Sequence, residues 1–184
     1  WGESVTTGKV ATTWPQPPHA DIDGDGRNEI VVSMYNSEGE SAWLVRVYDA
    51  VTGELRYRFP GAIAEATLDI DGDGACEIFV SLSRDPTRTA LDGVAILKVV
   101  DGQLRDVWQR HGARALQVDH AFAFQEEGAS HLLEWRSGEI RTSRYEPTPP
   151  PAGPDFSKLP AVAGPPAPRL LAVDVDGDGR NEIV

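Results

Sequence analysis

The sequence predicts an all-β fold, a β-propeller built from four-stranded blades of roughly 50 residues, and three observations carry that prediction. The run Asp-x-Asp-Gly-Asp-Gly-x-x-Glu-Ile occurs three times, starting at Asp21, Asp69 and Asp174. The first two copies lie 48 residues apart and the third follows 105 residues later, about two further units of the same size. A second marker, a Gly-centred turn leading into a strand with an aromatic near its end, recurs as Gly8 to Trp14, Gly53 to Phe59, Gly102 to Trp108 and Gly138 to Tyr145. These read as hairpins.

Taken in order, residues 1–20 read as the end of a preceding blade. Repeat 1 covers 21–68 and repeat 2 covers 69–118. Repeat 2 parses into four strands near Ile63–Asp69, Glu77–Ser83, Gly93–Val100 and Gln103–Gln109, with the acidic loop joining the first two. The stretches after the loops, Glu29–Tyr35 and Glu77–Ser83, are short and β-branched, as strands are. Repeat 3, 119–173, is degenerate. Asp119 opens Asp-His-Ala-Phe-Ala-Phe-Gln-Glu-Glu-Gly, where the alternate carboxylates are gone while a strand-like His131–Trp135 follows. Within it, 147–168 carries nine of the fourteen prolines and reads as an extended insertion. Residues 174–184 begin repeat 4, so the chain is expected to be part of a larger propeller, the rest supplied by further sequence.

The acidic loops are candidate metal sites. Alternate carboxylates on a tight loop present hard oxygen ligands to one point, the donor set calcium favours over softer metals. The first loop offers Asp21, Asp23, Asp25 and Glu29 with the Arg27 carbonyl. The second offers Asp69, Asp71, Asp73 and Glu77 with the Ala75 carbonyl, and the third Asp174, Asp176, Asp178 and Glu182 with the Arg180 carbonyl. About three calcium ions are expected. Glycines at the fourth and sixth positions let the backbone curl through positive φ. An EF-hand would need a Glu at the twelfth position and flanking helices. Here the twelfth positions are Val32 and Val80, and strands follow. A dockerin is disfavoured for the same reason. Asp and Gly also form plain acidic turns, but three copies with one carboxylate spacing argue for the metal.

Charge sharpens the reading. The net charge of −12 equals the twelve loop carboxylates, and the 17 remaining acids match the 17 Lys and Arg. Three Ca²⁺ would offset half of it. No basic stripe interleaved with aromatics meets nucleic acid, and no segment is long and apolar enough to suggest a membrane span. Cys76 is alone, so no intrachain disulfide forms. Calcium would do the cross-linking, and loops of this kind fill where calcium is about millimolar, which places the protein outside the cell or on its surface. Trp1 is not preceded by a charged-then-apolar leader in this sequence.

The three loops and the period resemble the FG-GAP or VCBS repeat family, which includes the calcium-bearing blades of integrin α-subunit propellers and many large bacterial surface proteins. The resemblance implies a β-propeller of about seven blades, with the family's first, third, fifth and ninth ligand positions falling on Asp21, Asp23, Asp25 and Glu29, and likewise in the other copies. The family more often has Asp at the ninth position. It transfers no metal to the unit at Asp119.

Two functional classes follow. One is a non-catalytic, calcium-stabilised propeller repeat module of a secreted or cell-surface protein, in adhesion or a similar role, binding carbohydrate or an extracellular protein through inter-strand loops. The other is a propeller domain of a polysaccharide lyase of the rhamnogalacturonan type, where calcium would hold an acidic sugar and acidify the proton beside its carboxylate. The residues favour the first. The sequence holds no Gly-x-Ser-x-Gly, His-Glu-x-x-His or phosphate-binding glycine loop, and His19, His111, His120 and His131 share no repeat position.

Overall fold

A computed structural model describes residues 10–40, 42–83, 91–118 and 120–146, together with the backbone of 172–173 and 182–183. The chain divides into two compact units, Trp1–Pro147 and Thr148–Val184. The described residues contain strands and turns and no helix. In the second unit, Ala172–Val173 pairs antiparallel with Glu182–Ile183. The third acidic loop, the proline-rich segment and the turn at Gly8 lie outside the described residues.

The first unit holds three antiparallel sheets, each built from consecutive strands. The first comprises β1 (Val10–Thr13), β2 (His19–Ala20), β3 (Glu29–Asn36), β4 (Leu44–Asp49) and β5 (Leu55–Pro60). The second comprises β6 (Ala62–Leu68), β7 (Glu77–Ser83), β8 (Leu91–Val100) and β9 (Gln103–His111). The third comprises β10 (Arg114–Val118), β11 (Ala121–Glu126), β12 (Ala129–Arg136) and β13 (Glu139–Tyr145). The second sheet therefore matches the expected four strands to within two residues at each end, with the acidic loop between its first two.

Hydrophobic alternation stacks the sheets. Along β7, Ile78 and Val80 face a core shared with Val31, Val45 and Val47 of the first sheet, while Phe79 faces a core shared with Phe122 and Phe124 of the third. β8 repeats the pattern, with Ala95 and Leu97 toward the first sheet and Val94 and Ile96 toward the third. Successive side chains of a strand point to opposite faces, so both faces of the middle sheet are buried. Two of the four hairpin aromatics hold an equivalent place, whereas Trp14 is 53 % exposed. Phe59 lies across from Val45 and packs on the first core, and Trp108 lies across from Ile96 and packs on the second.

Sheet follows sheet through single glycines. Gly61 leads from β5 into β6 and Gly112 from β9 toward β10, each at φ 73°, a conformation open to glycine and strained for other residues. The turns Asp101-Gly102 and Ser137-Gly138 have both residues at positive φ, the type I′ geometry that matches the twist of paired strands.

Within residues 1–20, read from sequence as the end of a preceding blade, Val10–Thr13 and His19–Ala20 pair with β3 of the first sheet, Val10 opposite Asn36 and His19 opposite Ile30. The prolines at 15, 17 and 18 interrupt this edge because proline cannot donate to a ladder. The intervening segment reaches the second sheet, where Gln16 N–H donates to Glu65 O at 3.1 Å and Thr67 Oγ1 to Pro17 O at 2.9 Å. In repeat 3, the residues aligned with loop positions form β11, with Phe122 and Phe124 buried. Val118 pairs with Ala121, so a two-residue connection stands where the other sheets carry the acidic loop. Ala-Phe-Ala-Phe has strand alternation and none of the Gly-Asp content a loop requires.

Asp49 closes the β4–β5 turn. Its Oδ1 accepts from the amides of Val51 and Thr52 at 2.9 and 2.7 Å, and Arg56 Nη2 donates to Oδ2 at 2.5 Å. The Thr52 amide first, then the Arg56 guanidinium, hold its carboxyl well below the usual aspartate range. A depressed folded-state pKa adds stability above the unfolded value, near 3.9, that is lost as pH falls toward the folded one. Asp49→Asn is therefore expected to lower the thermal midpoint at pH 7 and to lower it by less at pH 2. Equal midpoints at both pH values would show that the cap adds nothing.

Candidate metal sites

Both described acidic loops are held by the same four backbone-to-carboxylate contacts. In the first, Asp21 Oδ1 and Oδ2 accept from Gly24 and Gly26 N–H, each at 2.8 Å. In the second, Asp69 does the same for Gly72 at 2.6 Å and Gly74 at 3.0 Å. The ninth-position Glu reaches back to the second-position amide, Glu29 to Ile22 at 2.8 Å and Glu77 to Ile70 at 3.0 Å. The fifth-position Asp accepts from the amide two residues on, Asp25 from Arg27 and Asp73 from Ala75, both at 2.9 Å. Gly24, Gly26, Gly72 and Gly74 all have positive φ, from 76° to 95°, which turns their amides inward to the first Asp.

This scaffold brings three carboxylates together in each loop. Asp21, Asp23 and Glu29 offer oxygens that all lie within 4.8 Å of one another, and so do Asp69, Asp71 and Glu77. Each triplet could hold a metal ion. Asp25 and Asp73 stand outside the triplets, and each turns one oxygen to its own loop amide. The amides in those contacts belong to Arg27 and Ala75, the residues whose carbonyls the sequence offers as ligands. The residues assigned to the third loop, Asp174, Asp176, Asp178, Arg180 and Glu182, lie outside the described side chains.

The ninth-position glutamates are almost fully buried, at 1 % exposure each. Burial, offset by the Ile22 amide and reinforced by Asp23, Asp25 and Asp21, pushes the Glu29 carboxyl above its ordinary value. Burial likewise raises Glu77, against the pull of Lys98 and the Ile70 amide. A buried carboxylate among like charges is a strained arrangement that a cation relieves. Asp23 Oδ1 is also buried without a hydrogen-bond partner, and an orphaned buried acceptor of this kind calls for a ligand.

Two residues outside the loops complete the sites. Tyr57 of β5 donates its hydroxyl to Asp23 Oδ2 at 3.0 Å; burial, then Asp23, raises its phenol above the usual value. Lys98 of β8 places its ammonium among the second loop's carboxylates. The signal for it in sequence is a single charge inside Val94–Val100, otherwise apolar. The loops also touch each other, through Cys76 N–H donating to Asp21 O at 2.6 Å. Burial, then Asp69 and Glu77, pushes the Cys76 thiol up, away from the reactive thiolate.

Beside the loops lies an open cleft of about 960 Å³, whose polar lining includes Gln16, His19, Glu65, Gln117 and His120. His131, by contrast, is stacked on Phe124 with ring centroids 5.0 Å apart. Among the described residues, no helix is long and apolar enough to cross a membrane. Compared with known protein families and with curated proteins, the chain matches no family model and no curated sequence.

Proposed function

We propose that the chain is a calcium-stabilised, non-catalytic β-propeller module of the FG-GAP or VCBS kind, belonging to a secreted or cell-surface protein that binds carbohydrate or another protein. The observation that carries the reading is the first acidic loop. There, Asp21, Asp23 and the buried Glu29 each offer a carboxylate oxygen within 4.8 Å of the others, and one oxygen of Asp23 is buried without a partner. All the donors are carboxylate oxygens, which suits calcium or magnesium and not a soft metal. Loop glycines held by carboxylates can adapt to the larger, more irregular shell of calcium. Stacked antiparallel sheets of four or five strands, joined by connections of one or two residues that each contain a glycine, support the propeller part of the reading, since blades bury their faces only against their neighbours. Calcium in such loops fastens the connection between β2 and β3 or between β6 and β7, and the adjoining cleft offers polar groups to a partner.

Thermal unfolding across a calcium series, with magnesium as control, tests this. With a dissociation constant of about 0.1 mM, calcium at about 1–2 mM adds roughly 1.5 kcal/mol per site, or about 3–6 °C for a chain of this length. The rise is expected to be lost on the first loop's account in Asp23→Asn and Glu29→Gln. A folded wild-type protein whose midpoint ignores calcium would end the reading.

A further inference from the structure

The two acidic loops share a scaffold and differ in what answers their charge. In the first, Asp23 meets the neutral hydroxyl of Tyr57. Among the described residues, no Lys or Arg forms an ion pair with Asp21, Asp23 or Glu29. Arg56, whose charge is felt by Asp23 and Asp25, is bound to Asp49. In the second loop, Lys98 Nζ lies 2.5 Å from Asp71 Oδ2, 2.7 Å from Asp73 Oδ2 and 2.7 Å from Glu77 Oε1, the last an ion pair outside hydrogen-bond angles. An ammonium has three protons to give, and here it faces three carboxylates.

The sheet register explains the difference. Glu29 of β3 lies opposite Asp49 of β4. In the second sheet Ile78 lies opposite Leu97, which makes Lys98 the residue across from Glu77. The same cross-strand place thus carries an acid in one sheet and a base in the other. Lys98 is mostly buried, with its side chain 18 % exposed. Two of its three partners are more buried still, at 11 % for Asp71 and 1 % for Glu77.

We infer that Lys98 is the built-in cation of the second loop, so that the first loop takes a divalent ion while the second is closed by an ammonium and stays folded without metal. The inference rests on the reading of the first loop as a calcium site. For calcium to enter among Asp69, Asp71 and Glu77, the ammonium must leave three carboxylates, and two cations cannot share so small a space without strong repulsion. The calcium response of the chain is then concentrated in its first sheet.

A site-resolved titration tests this, because Gly24 and Gly26 report on the first loop and Gly72 and Gly74 on the second through amides bonded to Asp21 and Asp69. In ¹⁵N-labelled full chain titrated with calcium chloride, the Gly24 and Gly26 amide resonances are expected to shift and saturate. Those of Gly72 and Gly74 should respond only at about tenfold higher calcium or not at all. In Lys98→Met, and in Lys98→Gln, which keeps a polar end without the charge, Gly72 and Gly74 should titrate within about threefold of the first loop. A variant that folds only when calcium is added would equally support the role of Lys98, since calcium then replaces the missing ammonium. Equal wild-type midpoints for the two loops, or a second loop still silent in both folded variants, would overturn that role and leave calcium in the first loop standing. Silence at Gly24 and Gly26 would remove the calcium reading and this inference with it.

Discussion

Gly93→Ala is expected to lower the unfolding free energy by about 2–4 kcal/mol, combining backbone strain with overpacking. Gly93 has φ 149°, and a Cβ placed there would lie 2.2 Å from Arg110 O and 2.9 Å from His111 Cα. Both are backbone atoms of β9, the strand to which Gly93 is paired opposite His111. Neither can swing aside as a side-chain tip would. The β8–β9 ladder must open at this point, next to the irregularity in the β7–β8 register between Leu82 and Ser83. Urea unfolding followed by tryptophan fluorescence measures the change, and a loss below about 0.5 kcal/mol, the range of an ordinary surface substitution, would show that the sheet absorbs the methyl.

Phe79→Ala is expected to destabilise the first unit by about 3–5 kcal/mol. Phe79 is 1 % exposed and stacks on Phe122 of the third sheet, ring centroids 5.2 Å apart and planes at 18°. Val94, Ile96 and Leu133 enclose the pair, so truncation leaves a cavity between two sheets that are each anchored by their own ladders. The pair also predicts coupling. Combined with Phe122→Ala, the double variant should lose about 0.5–1.5 kcal/mol less than the sum of the single losses. Strict additivity would mean that the rings fill space without a specific contact.

Much of this arrangement is legible in the chain. The strands of the second sheet follow from alternation and from turn glycines, because a strand buried on both faces between Asp-Gly loops leaves few other parses. The loop carboxylates are legible for the same local reason: Asp21 and Asp69 bond to amides three and five residues away, and Glu29 and Glu77 to amides seven away. What the sequence hides is non-local. The pairing of Val10–Thr13 with β3 joins residues distant in the chain across three prolines. Lys98 meets Asp71 only because β7 and β8 are paired in one register and not in one shifted by a residue. Spacing alone also does not show that Asp25 and Asp73 each spend one oxygen on a loop amide.

In the first two sheets the last strand is more exposed than the strands before it that line the cores. β7 is almost wholly buried, whereas β9 shows solvent at most of its positions and β5 at every second one. Mutational tolerance should follow the same gradient. β6 and β7 admit few substitutions, since most of their residues answer to one core or the other. The solvent-facing positions of the last strands can exchange arginine, glutamine or glutamate with little consequence for folding. New surface chemistry is thus most readily acquired along the exposed last strands of the first two sheets, while the loops and cores stay as they are.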